Sequence, residues 1–212
     1  MEPFIHTHQY HFIKSRVQAI MNAYATSTDV NVIRARKEIA HEEVFQLFPN
    51  MTEEQKEILH PIDSIKEKAE GKQFLNQLSP FVIPFPAITE SSIKKLFPKV
   101  KKLKVSNLAE IDFSEISYLS WLDTATEKKF IVAYHEGKLI GIHGQFTNVN
   151  KKGVCALCNR FEEIGMFILE AKGSGDGTYL KKGNYICQDS VTCNQNIISL
   201  DKLNDFISLM VK

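Results

Sequence analysis

The chain has 212 residues, of which 43% are hydrophobic and 24% are charged, and its formal net charge at pH 7 is +1. This composition is typical of a globular protein with a packed core, and the length suits one large domain or two small ones. No stretch approaches the roughly eighteen apolar residues of a membrane-spanning helix. The first residues also lack the continuous apolar run of a secretory signal, which predicts a cytoplasmic protein.

The first eighty residues carry the apolar spacing of helices, with apolar side chains recurring every three or four positions. Residues 4–24 predict a first helix, and residues 30–48 predict a second that ends at a Pro-Asn pair. Residues 52–55 resemble a capping box for a short third helix. A fourth helix is predicted over residues 63–78. Four helices with short connections indicate an antiparallel bundle.

Three prolines, Pro80, Pro84 and Pro86, end this helical pattern and mark a domain boundary. We therefore divide the chain into a helical bundle domain, residues 1–83, and an α/β domain, residues 84–212. The expected fold class is α+β.

The second domain is predicted to mix a short helix with strands. Residues 91–97 indicate the helix, and residues 99–105 alternate loosely like a strand. Two pairs of apolar runs predict β-hairpins, one turning at Glu136-Gly137 and the other at the glycine-rich residues 173–177. The C-terminus again has helical spacing.

Four cysteines form the strongest motif of the chain, and all of them lie in its last third. Two residues separate Cys155 from Cys158, and after a further twenty-eight residues comes Cys187, which five residues separate from Cys193. Two thiolate pairs can complete the tetrahedron that zinc prefers, which predicts a structural zinc finger of the treble-clef type over about residues 153–212. Four thiolates leave no open position for catalysis. The alternative, two disulfides, requires an oxidising compartment.

Two further segments carry candidate contact residues. Six lysines between Lys94 and Lys104 indicate a contact with phosphate or an acidic protein face, or simply a solvated surface. Lys182 and Tyr185 lie in the run of residues that leads directly into Cys187, so a metal would hold their backbone in place for binding. The alternative for Tyr185 is a core position. Phosphate-loop, dinucleotide-binding and nucleophile-elbow motifs are absent, and we expect no enzymatic activity.

Several blocks of sequence resemble one known family. Residues 153–159, 175–190 and 193–197 look like the C-terminal finger of the FusB-type fusidic-acid-resistance proteins, also called elongation factor G-binding proteins. Residues 94–104, 116–123 and 129–134 extend the resemblance, which spans essentially the whole chain.

The resemblance implies a zinc protein that docks on elongation factor G and promotes its release from the ribosome when fusidic acid has locked it there, without modifying the drug. It implies that Cys155, Cys158, Cys187 and Cys193 bind zinc and that Lys182, Tyr185 and Phe206 contact the partner. One departure is Val154, because resistance proteins of this type tend to have phenylalanine immediately before the first cysteine.

A second function, from another class, is a zinc module that contacts ribosomal RNA directly through the lysine-rich segment. Steep loss of affinity with salt for RNA alone would distinguish it from a protein-binding module. Neither a membrane nor a small-molecule substrate is expected as a partner.

Overall fold

A computed structural model describes residues 1–105, 107–172 and 179–211. The chain divides into two compact units, Met1–Ile83 and Pro84–Lys212. The first unit is helical and the second is built on an antiparallel sheet, so the predicted α+β class is confirmed. The predicted glycine-rich turn at residues 173–177 lies outside the described residues.

The first unit contains four α-helices, as the apolar spacing predicted: α1 (Thr7–Thr26), α2 (Val30–Gln46), α3 (Glu53–Leu59) and α4 (Lys68–Leu78). Helix α1 packs against α2 and α4. The start of α3 is fixed by the predicted capping box, in which Thr52 and Gln55 each accept a hydrogen bond from the other's backbone N–H. Among the described residues, no helix is both long and apolar enough to cross a bilayer.

The two ends of the first unit meet in a small sheet that the sequence analysis did not predict. Strand β1 (Ile5–His6) pairs in parallel with β2 (Val82–Ile83), and the Phe4 N–H donates to the Phe81 carbonyl at 2.9 Å. The first helix therefore begins at residue 7 rather than residue 4. This pairing anchors the last residues of the unit, and the following proline favours the extended backbone that Ile83 adopts there.

The second unit begins with a short helix and irregular backbone that pack on one face of its sheet, and not with a strand. Helix α5 (Glu90–Leu96) lies where a helix was predicted. The strand predicted over residues 99–105 is wrong, because this segment forms turns and irregular backbone. Its apolar residues Val100, Leu103 and Val105 are half-buried against the core, so their spacing reflects separate anchor points and not strand alternation.

A five-stranded antiparallel sheet forms the centre of the second unit, with its strands in sequence order: β3 (Tyr118–Asp123), β4 (Lys128–His135), β5 (Lys138–Val154), β6 (Phe161–Lys172) and β7 (Tyr179–Cys187). The predicted hairpin at Glu136-Gly137 is confirmed. Both residues have positive φ (48° and 79°), as a two-residue turn between right-twisted strands requires.

Each face of the sheet has its own core because side chains alternate along every strand. One face, called here the α7 face, is covered by α6 (Ser190–Asn196) and α7 (Asp201–Val211). The opposite face, the α5 face, is covered by α5 and the segment around it. The α7 face includes Tyr118, Ile131, Phe146, Phe167 and Ile186; the α5 face includes Leu119, Trp121, Phe130 and Val132.

Helix α7 is also tied to the sheet by a polar contact. The Nδ1 of His135, at the end of β4, lies 3.1 Å from the Asn204 Oδ1, and its Nε2 lies 3.1 Å from the Ser208 Oγ. Both ring nitrogens of this buried histidine thus have partners, which removes the cost of burying them.

We expect residues 84–212 to fold without the helical unit, because both faces of the sheet are covered from within this segment. The measurement is expression of residues 84–212 with zinc supplied, followed by circular dichroism and metal analysis. A product that is insoluble under these conditions, while the full chain is soluble, would contradict the expectation.

Candidate metal site

The four cysteines lie together in the second unit as a buried cluster. All four sulfur atoms lie within 4.8 Å of one another. The Cys155 and Cys193 sulfurs are 3.8 Å apart, and the Cys158 and Cys187 sulfurs are 3.7 Å apart. A zinc–sulfur bond of roughly 2.3 Å gives a tetrahedron with an edge of about 3.8 Å, which these distances match. They are far longer than the roughly 2.0 Å of a disulfide, and all four cysteines are free.

The first cysteine pair sits in a tight knuckle between β5 and β6. The Asn159 N–H donates to the Cys155 carbonyl at 2.9 Å, and the Cys155 N–H donates to the Arg160 carbonyl at 3.0 Å. Asn159 has a φ of 56°, a left-handed conformation that asparagine tolerates better than most residues. The Ala156 N–H donates to the Tyr185 carbonyl at 2.8 Å, which joins the knuckle to β7.

The second pair comes from the end of β7 and from α6. Cys187 is the last residue of β7, and Cys193 lies in α6. The side chain of Asp189 caps α6 by accepting from the Val191 and Thr192 N–H groups at 3.1 and 2.9 Å. This cap fixes where the helix starts and therefore where the fourth sulfur points. The order of knuckle, hairpin and helix is that of the predicted treble clef.

Hydrogen bonds to sulfur prepare the cluster for a cation. The N–H groups of Leu157 and Cys187 both point at the Cys155 sulfur, at 3.3 Å. Hydrogen bonds from the other three cysteines hold the pKa of Cys155 well below its ordinary value, whereas hydrogen bonds within the same cluster raise the pKa of Cys193. The metal-free thiols thus share protons that an incoming metal ion must displace.

Three buried residues around the cluster were missed by the sequence analysis: Tyr118, Lys129 and Asn194. Burial raises the pKa of Tyr118, and the negative charge of Cys193 raises that pKa further. Lys129 could have been noticed in the sequence, because it shares the alternation of Ile131 and Ala133, which face the core. The only feature of the sequence that points to Asn194 is its position directly after Cys193.

Asn194 connects α6 to β3 through a complete set of hydrogen bonds. Its Oδ1 accepts from the Ser117 and Tyr118 N–H groups at 2.7 and 3.2 Å. Its Nδ2 donates to the Tyr118 and Ser190 carbonyls, both at 3.0 Å. Asn194 thus helps to fix the helix that carries Cys193 to the sheet.

We expect Asn194→Ala to lower the free energy of unfolding of the second unit by about 1–3 kcal/mol or more, because it leaves buried backbone N–H and C=O groups without hydrogen-bond partners. Thermal unfolding of the zinc-loaded protein measures this. Gln195→Ala, on the exposed side of the same helix, is the matched control and should stay within about 0.5 kcal/mol of wild type. Equal stabilities for the two variants would show that the Asn194 bonds do not support α6.

The structure separates the three predicted partner-contact residues. Tyr185 is 41% exposed, Lys182 is half-buried, and Phe206 is only 3% exposed. The Phe206 ring packs on Phe167 of the α7 face, with ring centroids 5.8 Å apart. Tyr185 pairs with Met166 and therefore points to the α5 face.

Phe206 is therefore a core residue, and the predicted aromatic anchor of Phe206 beside Tyr185 needs correction. Lys182 and Tyr185 are three residues apart on β7, so they too point to opposite faces of the sheet. Of the two predicted aromatic contact residues, Tyr185 is the one whose ring remains exposed to a partner, next to the knuckle.

Two more exposed apolar side chains lie at the knuckle. Val154 and Phe161 are directly opposite each other on β5 and β6, and they are 59% and 66% exposed. Position 154 thus carries valine and not phenylalanine, while an exposed aromatic ring is present on the adjacent strand.

The fold and the site define a two-unit α+β protein that carries a four-cysteine treble-clef finger. Residues 4–86 match the family described as elongation factor G-binding protein, N-terminal, and residues 89–206 match the FBP C-terminal treble-clef zinc-finger family. The chain belongs to this family of elongation factor G-binding proteins, which confirms the resemblance inferred from its sequence.

Among solved structures, the fusidic acid resistance protein FusC is 32% identical to this chain, with 97% of each chain covered and a TM-score of 0.85. A comparison with curated proteins found no match.

Proposed function

We propose that this chain is a non-enzymatic, cytoplasmic zinc protein that binds elongation factor G and promotes its release from the ribosome. The observation that carries the proposal is the family match, which covers both units of the chain. The likeness to a fusidic acid resistance protein over nearly the whole chain supports the same function.

Zinc would be held by Cys155, Cys158, Cys187 and Cys193, whose sulfur spacing fits its tetrahedral geometry. When bound, it supplies folding free energy and no reaction chemistry, because four thiolates occupy every coordination position. The chain's own residues then present the binding surface. The knuckle fixes the backbone at Tyr185 through the Ala156 N–H, so the exposed ring is held in place before the partner arrives.

Release from the ribosome would follow from a coupling free energy between two binding equilibria. A protein that binds the factor better in its released conformation weakens the factor's hold on the ribosome by the same ratio. Such couplings are typically about 1–3 kcal/mol, or roughly 5- to 150-fold.

Two measurements test the two halves of the proposal. First, a pull-down with purified elongation factor G at moderate salt, with no ribosome present, should recover a direct complex. Second, ribosomes carrying the factor and fusidic acid should lose the factor from the pellet as this protein is added. Failure of the pull-down would refute binding, whereas a complex without loss from the pellet would refute release alone.

A second candidate function is direct RNA contact through the lysine-rich segment. All six lysines between Lys94 and Lys104 are exposed, while Ile93 and Phe97 anchor the start of the segment in the core. Retention of ribosomal RNA by the isolated protein, with an affinity that falls steeply as salt is raised, would favour this function. Binding that requires the factor and survives moderate salt would favour the first.

A further inference from the structure

Lys129 is a charged residue in a place where charge is costly. It lies on β4 opposite Gly144 of β5 and is only 2% exposed. Moving an ammonium group from water into a protein interior costs several kcal/mol unless its surroundings compensate. The immediate surroundings of Lys129 should therefore contain groups that stabilise a positive charge.

The contacts of Lys129 identify these groups. Its Nζ donates to the Cys187 carbonyl at 2.9 Å and to the Gln188 carbonyl at 2.8 Å, and it lies 4.4 Å from the centre of the Phe146 ring. Gly165 leaves room for that ring, since a Cβ there would lie 2.3 Å from it. Carbonyl dipoles and a ring face supply partial negative charge only.

With metal bound, full negative charge would be supplied by the neighbouring cysteine cluster. Burial lowers the pKa of Lys129, and the negative charges that oppose this effect are those of the Cys193, Cys187 and Cys155 sulfurs and of Asp189. Four thiolates around one divalent ion carry a net charge of −2, which is itself costly to bury. The buried lysine and the buried cluster thus each offset the charge of the other.

We propose that Lys129 is the counter-ion of the four-cysteine metal site and positions its third ligand. Its charge stabilises metal-bound thiolates, and its two hydrogen bonds hold the backbone at Cys187 and Gln188, where β7 ends. This rests on the proposed binding of zinc by the four cysteines, but not on the proposed binding of elongation factor G.

Zinc affinity of the full-length chain tests the proposal, measured by competition with a chelator of known affinity. Lys129→Met keeps the length of the side chain without its charge, and Lys129→Gln keeps a hydrogen-bond donor without the charge. We expect both to bind zinc about 10- to 100-fold more weakly, the usual effect of losing a partner of a metal ligand. Lys129→Arg retains the charge and should stay within about threefold of wild type. Lys128→Gln, next along β4, is the matched control.

An absorption spectrum of the cobalt-substituted protein distinguishes the effect of losing the positive charge of Lys129 from the effect of losing its packing contacts. Loss of a nearby positive charge raises the energy of the thiolate electrons, so the sulfur-to-cobalt charge-transfer bands of the two neutral variants should move to longer wavelength. The d–d bands should stay in place, because the tetrahedral geometry is retained.

Wild-type zinc affinity in the neutral variants, unshifted charge-transfer bands, or an equal loss of affinity in Lys129→Arg and Lys129→Met would each overturn the counter-ion role. A wild-type protein purified without zinc and unable to bind it would instead refute the zinc assignment itself.

Discussion

Replacing Cys158 with serine is expected to abolish zinc binding and, with it, binding to elongation factor G. The four ligands come from three separate elements that the metal would hold together: the knuckle, the end of β7, and α6. Structural zinc contributes about 10–16 kcal/mol to the folding of zinc-finger peptides, far more than the few kcal/mol that one side-chain contact supplies. Metal analysis, followed by a pull-down of the factor, measures the result.

The helical first unit provides the internal control for Cys158→Ser. Its core is formed within Met1–Ile83, so its helical circular dichroism should survive the loss of the finger. Treating the wild-type protein with a chelator should reproduce the loss of binding, and added zinc should restore binding to the wild type alone. A Cys158→Ser protein that binds the factor normally would show that the finger is not the docking element.

Truncating Tyr185 to alanine should cost about 2 kcal/mol or more of affinity for elongation factor G, or roughly 30-fold in Kd, without loss of zinc. The ring is exposed beside the knuckle, and aromatic anchors of this kind carry much of the energy of interfaces. Tyr134→Ala is the matched control, since Tyr134 is also a half-exposed strand tyrosine (50%) but lies near the β4–β5 turn. Calorimetry of both variants makes the comparison.

The same experiment should give a different result for Phe206. Because its ring is buried against Phe167, Phe206→Ala is expected to lower the free energy of unfolding by about 3–5 kcal/mol, with binding lost in proportion to unfolding. Lys182→Ala should change the affinity little, because Lys182 points to the sheet face opposite Tyr185 and cannot form the rim of a contact around that ring. An affinity loss for Tyr185→Ala no larger than for Tyr134→Ala would remove Tyr185 from the interface.

Local patterns in the sequence predicted most elements of this fold. The helices of the first unit follow from apolar spacing, and the Thr52–Gln55 cap follows from two side chains three residues apart. The Glu136-Gly137 hairpin follows from turn chemistry. Each of these depends on interactions within a few residues, which a sequence displays directly. The β1–β2 pair was missed because its two strands lie at opposite ends of the first unit. Strand β3 was also missed, although its partner β4 follows it directly along the chain.

The cysteine cluster was predictable for a different reason. Only four cysteines occur in the chain, and metal-ligand chemistry allows few ways to use two pairs at this spacing. The sequence by itself therefore determined the cysteine cluster, the fold class and, through several distinctive blocks, the family.

Tertiary structure alone decided which side chains a partner can reach. Tyr185 and Phe206 are both aromatic residues near the finger, yet one is exposed on the α5 face and the other is buried on the α7 face. Likewise, the alternation of β4 points Lys129 towards the core, but only the folded structure shows which carbonyl groups its ammonium group meets there. Exposure and charge pairing depend on what covers each sheet face, and those covering segments lie up to 77 residues away along the chain, as in the contact between Ser117 and Asn194. Local spacing carries no information about such contacts, because they form only when the sheet and its helices assemble.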